Sequence, residues 1–214
     1  MAVDRVVREL TAAEGRTYAE EAGIRLRDTP QPLYRLLVLS CLLSARIRSS
    51  TALAAARALF EAGFGSPRAM ADATWQQRVD ALGRGGYRRY DERTSTQLGD
   101  GARLVLDRWG GDLRRLRKEA DGDVGELDRL LQKVPGIGPA GAAIFLREVQ
   151  RVWPEPAPYL DGKALSGARR LGLPDDPRQL LKRAGDIEPA VLAAALVRAA
   201  LDKQVVEECL RRAG

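Results

Sequence analysis

The chain has 214 residues and a net charge of +6, and it is 45% hydrophobic but only 5% aromatic, which suits one large or two small domains cored by Leu, Ala and Val. It has no histidine and only two cysteines, Cys41 and Cys209, which excludes the commonest general base, Ser-His dyads, four-thiolate iron–sulfur clusters and the usual zinc sites. The pI is near 9.7, and 30 of the 35 basic residues are arginine, the side chain best suited to phosphate forks and base edges, so nucleic acid is the first partner to consider.

Residues 3–10 and 17–27 read as polar amphipathic helices separated by Gly15. Asp28-Thr29-Pro30-Gln31-Pro32 is a helix start, with a capping residue and prolines ahead of an apolar run. The run 33–43 is apolar on nearly every side, so it should be a buried spine with Cys41 in the core. It delivers Ser44-Ala45-Arg46-Ile47-Arg48, after which Ser49 or Ser50 can cap an Ala-rich helix over 51–60. Short helices follow from Ser66-Pro67 and over 74–82. Gly83-Arg84-Gly85-Gly86 then breaks the chain before Tyr87-Arg88-Arg89-Tyr90. A long helix spans 94–109, and a basic helical turn spans 113–118.

The stretch Val134-Pro135-Gly136-Ile137-Gly138-Pro139-Ala140-Gly141 has apolar helical runs on both sides, over 125–134 and 139–153. The chain must turn in very few residues, and glycines at 136 and 138 permit backbone angles that a Cβ forbids. Two short helices should meet in a tight hairpin whose amides, at the N-terminus of the second helix, make a phosphate site. Pro154 to Pro158 reads as a stiff extended loop. A helix after Asp161 and final helices over 178–183 and 188–213 complete an all-α chain of about ten helices, with no membrane span and an expected cytoplasmic location.

Three segments, in order, resemble the helix-hairpin-helix DNA glycosylases of the endonuclease III type: Leu42-Leu43-Ser44-Ala45-Arg46, Val134-Pro135-Gly136-Ile137-Gly138, and Leu160-Asp161 with Arg170-Leu171-Gly172-Leu173. The resemblance covers roughly residues 30–200. It implies a two-lobed helix-hairpin-helix glycosylase fold with a DNA-binding cleft between lobes, drawn here as 30–134 and as 1–29 with 135–214. It also implies a flipped base and hydrolysis of the base–sugar bond in lesion-bearing double-stranded DNA, by a chain expected to act as a monomer.

Carried over by position, Asp161 is the catalytic carboxylate, stabilising an oxocarbenium-like sugar. Asp is also a common helix N-cap, and the two roles are compatible. The amine that bifunctional relatives place two residues after the second hairpin glycine is replaced by Ala140, so Schiff-base strand cleavage is not expected. Lys163 beside Asp161, or Lys133 before the hairpin, could supply an amine or simply face phosphate or solvent. The family's iron–sulfur cysteines are missing, and no cofactor is expected beyond a monovalent cation at the hairpin.

DNA contacts are expected from Ser44, Arg46, Arg48, Tyr87, Arg88, Lys133, Pro135, Gly136, Ile137, Gly138 and Ala140. Arg46 stands where the family fills the space left by the flipped base, a solvated helix-end arginine being the lesser alternative. Tyr87 and Tyr90 could stack in the duplex or cover the core. Trp153 and Tyr159 are candidates for a base pocket. The alternative function is a catalytically silent protein that uses the hairpin to bind DNA structures.

Overall fold

The computed structural model describes residues 3–214. Among them there is no strand, and there are fourteen helices where the sequence suggested about ten. In chain order these are α1 (Val3–Glu14), α2 (Tyr18–Glu21), α3 (Pro30–Leu43), α4 (Ser49–Glu61), α5 (Pro67–Asp72), α6 (Trp75–Arg84), α7 (Asp91–Trp109), α8 (Leu113–Glu119), α9 (Val124–Leu131), α10 (Pro139–Val149), α11 (Gly162–Arg170), α12 (Pro177–Ala184), α13 (Pro189–Leu201) and α14 (Lys203–Ala213). No helix among the described residues is long and apolar enough to cross a membrane.

The chain packs as two units: Ala19–Leu146, and the N-terminal segment to Tyr18 together with Arg147–Gly214. Divisions were expected at 29/30 and 134/135. The packing instead keeps α9, the hairpin turn and most of α10 in one unit. Each unit is organised around one helix that is apolar on most sides. In the first it is α3, with Leu33, Leu36 to Leu39, Cys41 and Leu42 buried. In the second it is α13, with Leu192 to Val197 buried. α11 packs on α13 so closely that a Cβ at Gly167 would run into the Leu196 carbonyl oxygen.

Most helix starts follow local chemistry. Ser66, Asp112, Asp123, Asp161, Asp176 and Asp202 each accept a first-turn N–H of their own helix, and Thr74 with Gln77 closes a capping box on α6. Four expectations are corrected. Ser49 and Ser50 do not cap α4; both lie inside it, after Arg48, whose side chain makes no cap hydrogen bond. The helix expected over 17–27 stops at Glu21, Gly23 turns at φ +75°, and Ile24 to Arg27 form no regular secondary structure. The span 188–213 is two helices, because the chain is extended at Asp202, which caps the second. Pro154 to Ala157 form a turn closed by the Ala157 N–H on the Pro154 carbonyl at 3.1 Å, not an extended loop.

One buried cation was not foreseen. Arg78 is 3% exposed and donates to three carbonyls, Ser95 at 2.9 Å, Met70 at 3.0 Å and Ala73 at 2.5 Å, tying α5, α6 and α7 together. Burial lowers its pKa from the ordinary arginine value.

Candidate functional site

The hairpin forms where it was expected. The Ile137 N–H donates to the Val134 carbonyl at 2.9 Å, and the helical ladder of α10 begins with the Ala142 N–H on the Gly138 carbonyl at 3.0 Å. The Ala140 and Gly141 amides precede that first bond and therefore have no partner within the helix. The two glycines do different things. Gly136 has φ +88°, and a Cβ there would lie 2.8 Å from Cys41 Sγ. Gly138 is not left-handed, and a Cβ there would meet open space. The requirement for glycine geometry thus holds for Gly136 alone.

The hairpin sits against the last turn of α3. Cys41 and Gln97 surround Gly136, and the Ser40 carbonyl lies 3.6 Å from the Cβ position of Gly141. Three residues beyond Cys41, Ser44 begins the turn that carries Arg46 and Arg48, so one end of α3 brings that turn and the hairpin together. Arg46, Arg48, Arg88, Lys133, Pro135, Gly138 and Ala140 are all exposed. Among the described residues, Arg46, Arg48, Arg88 and Lys133 form no ion pair with a carboxylate, whereas Arg103, Arg108 and Arg114 all do.

Other members of the expected set are drawn into the fold. Tyr87 is 2% exposed, with its hydroxyl 3.2 Å from Thr94 Oγ1, so of its two readings the structure takes core cover. Ile137 is buried, so its side chain belongs to the core. The half-buried Ser44 hydroxyl donates to the Cys41 carbonyl at 2.7 Å. Burial pushes the Cys41 thiol up to about 12, as befits a core residue.

The carboxylate site lies in the other unit. Asp161 is the N-cap of α11: its Oδ1 accepts the Ala164 N–H at 3.0 Å. Its Oδ2 accepts from Arg147 Nη1 at 2.5 Å, in an ion pair whose side chains are 14% and 7% exposed. Both oxygens are therefore engaged, one by the helix and one by a cation.

The loop that leads to Asp161 is fixed from the same end of α10. Gln150 Oε1 accepts the Tyr159 N–H at 2.8 Å, and Gln150 Nε2 donates to the Tyr159 carbonyl at 3.0 Å and to the Arg147 carbonyl at 2.9 Å. Glu148 Oε1 accepts the Tyr18 N–H at 3.2 Å. Arg147, Glu148 and Gln150 are three of the eight buried polar residues among those described, clustered within four positions. Buried polar groups on an otherwise apolar helix are costly unless paired, and a polar run directly after Ala142 to Leu146 was the sequence signal for them.

Lys163 is exposed in the first turn of α11, and neither partner of Asp161 is a lysine. Trp153 is fully buried, so it is a core residue and offers no face to a base; this corrects its placement in a base pocket. Tyr159 is half-buried, with its backbone held by Gln150.

No family model matches the chain, and no curated protein matches it. Among solved structures it is similar to a trapped covalent intermediate of endonuclease III with DNA, an estranged-adenine complex. The identity is 16%, over 92% of this chain and 86% of that one, with a TM-score of 0.51. At that identity the likeness establishes the fold, which is the all-α fold of endonuclease III.

Proposed function

We propose that this chain is a DNA base-excision glycosylase that hydrolyses the base–sugar bond and leaves the strand intact. The observation that carries the reading is the hairpin. An exposed helix start with unpartnered amides stands beside exposed arginines and a lysine that have no carboxylate partners, in a fold shared with a DNA-bound enzyme. Amides at a helix N-terminus together with arginines suit backbone phosphates and position a duplex without reading its sequence.

The chemistry falls to Asp161. A base departing from C1′ leaves positive charge on the sugar, and a carboxylate held in place stabilises that charge without having to reorganise. The α11 amide and Gln150, acting through Tyr159, supply the rigidity. Ala140 offers a methyl group where an amine would have to attack C1′, so no covalent intermediate forms there. Lys163 is assigned to solvent or phosphate. A monovalent cation at the hairpin is part of the same proposal.

A second reading, DNA binding without excision, is favoured by one observation: Arg147 already neutralises Asp161. For excision the carboxylate must act on the sugar while its Oδ2 is shared with, or released from, Arg147. The test is release of bases from duplexes carrying a panel of damaged and mismatched bases. Asp161→Asn keeps the size and the cap; it is expected to lose excision by about two orders of magnitude, the scale of a removed electrostatic stabiliser, with DNA binding retained. Borohydride should trap no adduct. An adduct that vanishes in Lys163→Ala would replace the hydrolytic mechanism with an amine mechanism. No release of any base, with salt-sensitive duplex binding intact, would leave the binding protein.

A further inference from the structure

A cavity of about 560 Å³ lies at the N-terminal end of α3, lined by Gly23, Ile24, Arg25, Arg27, Thr29, Pro30, Gln31, Pro32 and Arg35. From Ile24 to Arg27 the chain is irregular, with Ile24 buried, Leu26 half-buried, and Arg25 and Arg27 exposed, so the two arginines both face outward. Arg35 lies four residues after Gln31 in α3, on the same face of the helix.

None of the three arginines has a carboxylate partner among the described residues. Asp28, next to Arg27 in the chain, pairs instead with Arg117 at 3.0 Å. The Arg35 guanidinium is half-buried over the Phe60 ring, 5.1 Å from its centroid. Its Nε is a buried atom with no hydrogen-bond partner, and Gly65 leaves room for the group, since a Cβ there would lie 2.7 Å from Nε. A partly buried cation without a counter-ion is costly, and this one is locked in place beside two more cations and the positive end of a 14-residue helix.

We propose that this cavity binds a phosphorylated small molecule carrying two or more negative charges, such as a nucleoside diphosphate. Three guanidinia match a multiply charged phosphate group. Pro30 and Pro32 remove two of the first-turn amides, so recognition rests on the arginines rather than on a backbone cradle. The half-buried Pro30 and Pro32 offer an apolar side to an organic moiety, and the volume is that of a nucleotide-sized site. The cavity is not part of the hairpin surface. It stands at the start of α3 while Arg46 and the hairpin stand at its end, about 21 Å away at 1.5 Å per residue.

Calorimetric titration of the full chain with pyrophosphate and with ADP, in chloride buffer, is expected to give one site. The exposed double variant Arg25→Gln/Arg27→Gln should keep the wild-type melting temperature and duplex affinity, yet bind both probes about tenfold more weakly or worse. Arg35→Met should bind neither. Tighter binding of ADP than of pyrophosphate would show that the organic part is recognised, and equal binding that the diphosphate alone is. Absence of binding, unchanged affinity in the double variant, or displacement of either probe by a short duplex would overturn the proposal.

Discussion

The turn between α9 and α10 and the loop between α10 and α11 each deliver a helix N-terminus, and they are built on opposite plans. The first is set by the backbone. One residue, Gly136, takes φ +88° against Cys41, and the chain folds back with main-chain hydrogen bonds alone. The second is set by side chains. Gln150 clamps both the N–H and the carbonyl of Tyr159, and Arg147 holds Asp161, all from buried positions at or just past the end of α10. A backbone device tolerates almost any side chain around it and fails when one glycine changes. A side-chain device fails when one partner is truncated, because the other is left buried and unpaired.

The largest effect should therefore come from Arg147. Arg147→Met strips the counter-ion from Asp161, whose side chain is only 14% exposed. Removing one partner of a buried pair costs about 3 kcal/mol or more. Urea unfolding of Arg147→Met, Asp161→Asn and the double variant measures it. The double variant should be more stable than the sum of the single costs implies, since no lone charge remains. Additive costs would mean that the two side chains do not act as a pair.

That asymmetry also explains what could be read from the sequence. The all-α class, the apolar spine and the hairpin were legible because each depends on residue type and spacing: a run from Leu33 to Leu43, a proline start, glycines between apolar helices. Asp161 was legible as a cap and, through the family resemblance, as a carboxylate of interest. Its pairing with Arg147, fourteen positions earlier and across a proline-rich turn, was not. Nothing in a single sequence sets which of 30 arginines meets a given acid. Trp153 and Tyr87 were misplaced toward DNA for a related reason: an aromatic near a motif can stack on a base or fill the core, and only packing decides. The span 188–213 was hidden by its own regularity, since Asp202 is a cap in the middle of a continuous helical pattern.

An intermediate effect is expected at Gly136. Gly136→Ala forces a Cβ into a left-handed position, at about 1–3 kcal/mol, and sets it 2.8 Å from Cys41 Sγ. Cys41→Ala should recover the part of the loss caused by contact and leave the part caused by φ. Full recovery would show that the backbone angle costs nothing, and the hairpin would then not be a backbone device.

The smallest effect on stability, and the sharpest on the comparison, belongs to Gly138. It is exposed, its φ is not left-handed, and a Cβ would meet nothing within 4 Å. Folding gives no reason for glycine here, so Gly138→Ala should change stability by no more than about 0.5 kcal/mol. Yet Gly138 provides the first carbonyl of α10, directly before the unpartnered Ala140 and Gly141 amides. If a phosphate approaches those amides, a methyl group at 138 stands in its way, and a larger side chain more so. Duplex affinity should fall from glycine to alanine to leucine, by a similar factor for every duplex sequence, because a backbone phosphate carries no sequence. The slope of affinity against salt should also flatten as that contact is lost. An Ala and Leu series with wild-type stability and wild-type affinity would leave Gly138 without a role in DNA binding and would remove the hairpin from the proposed interface.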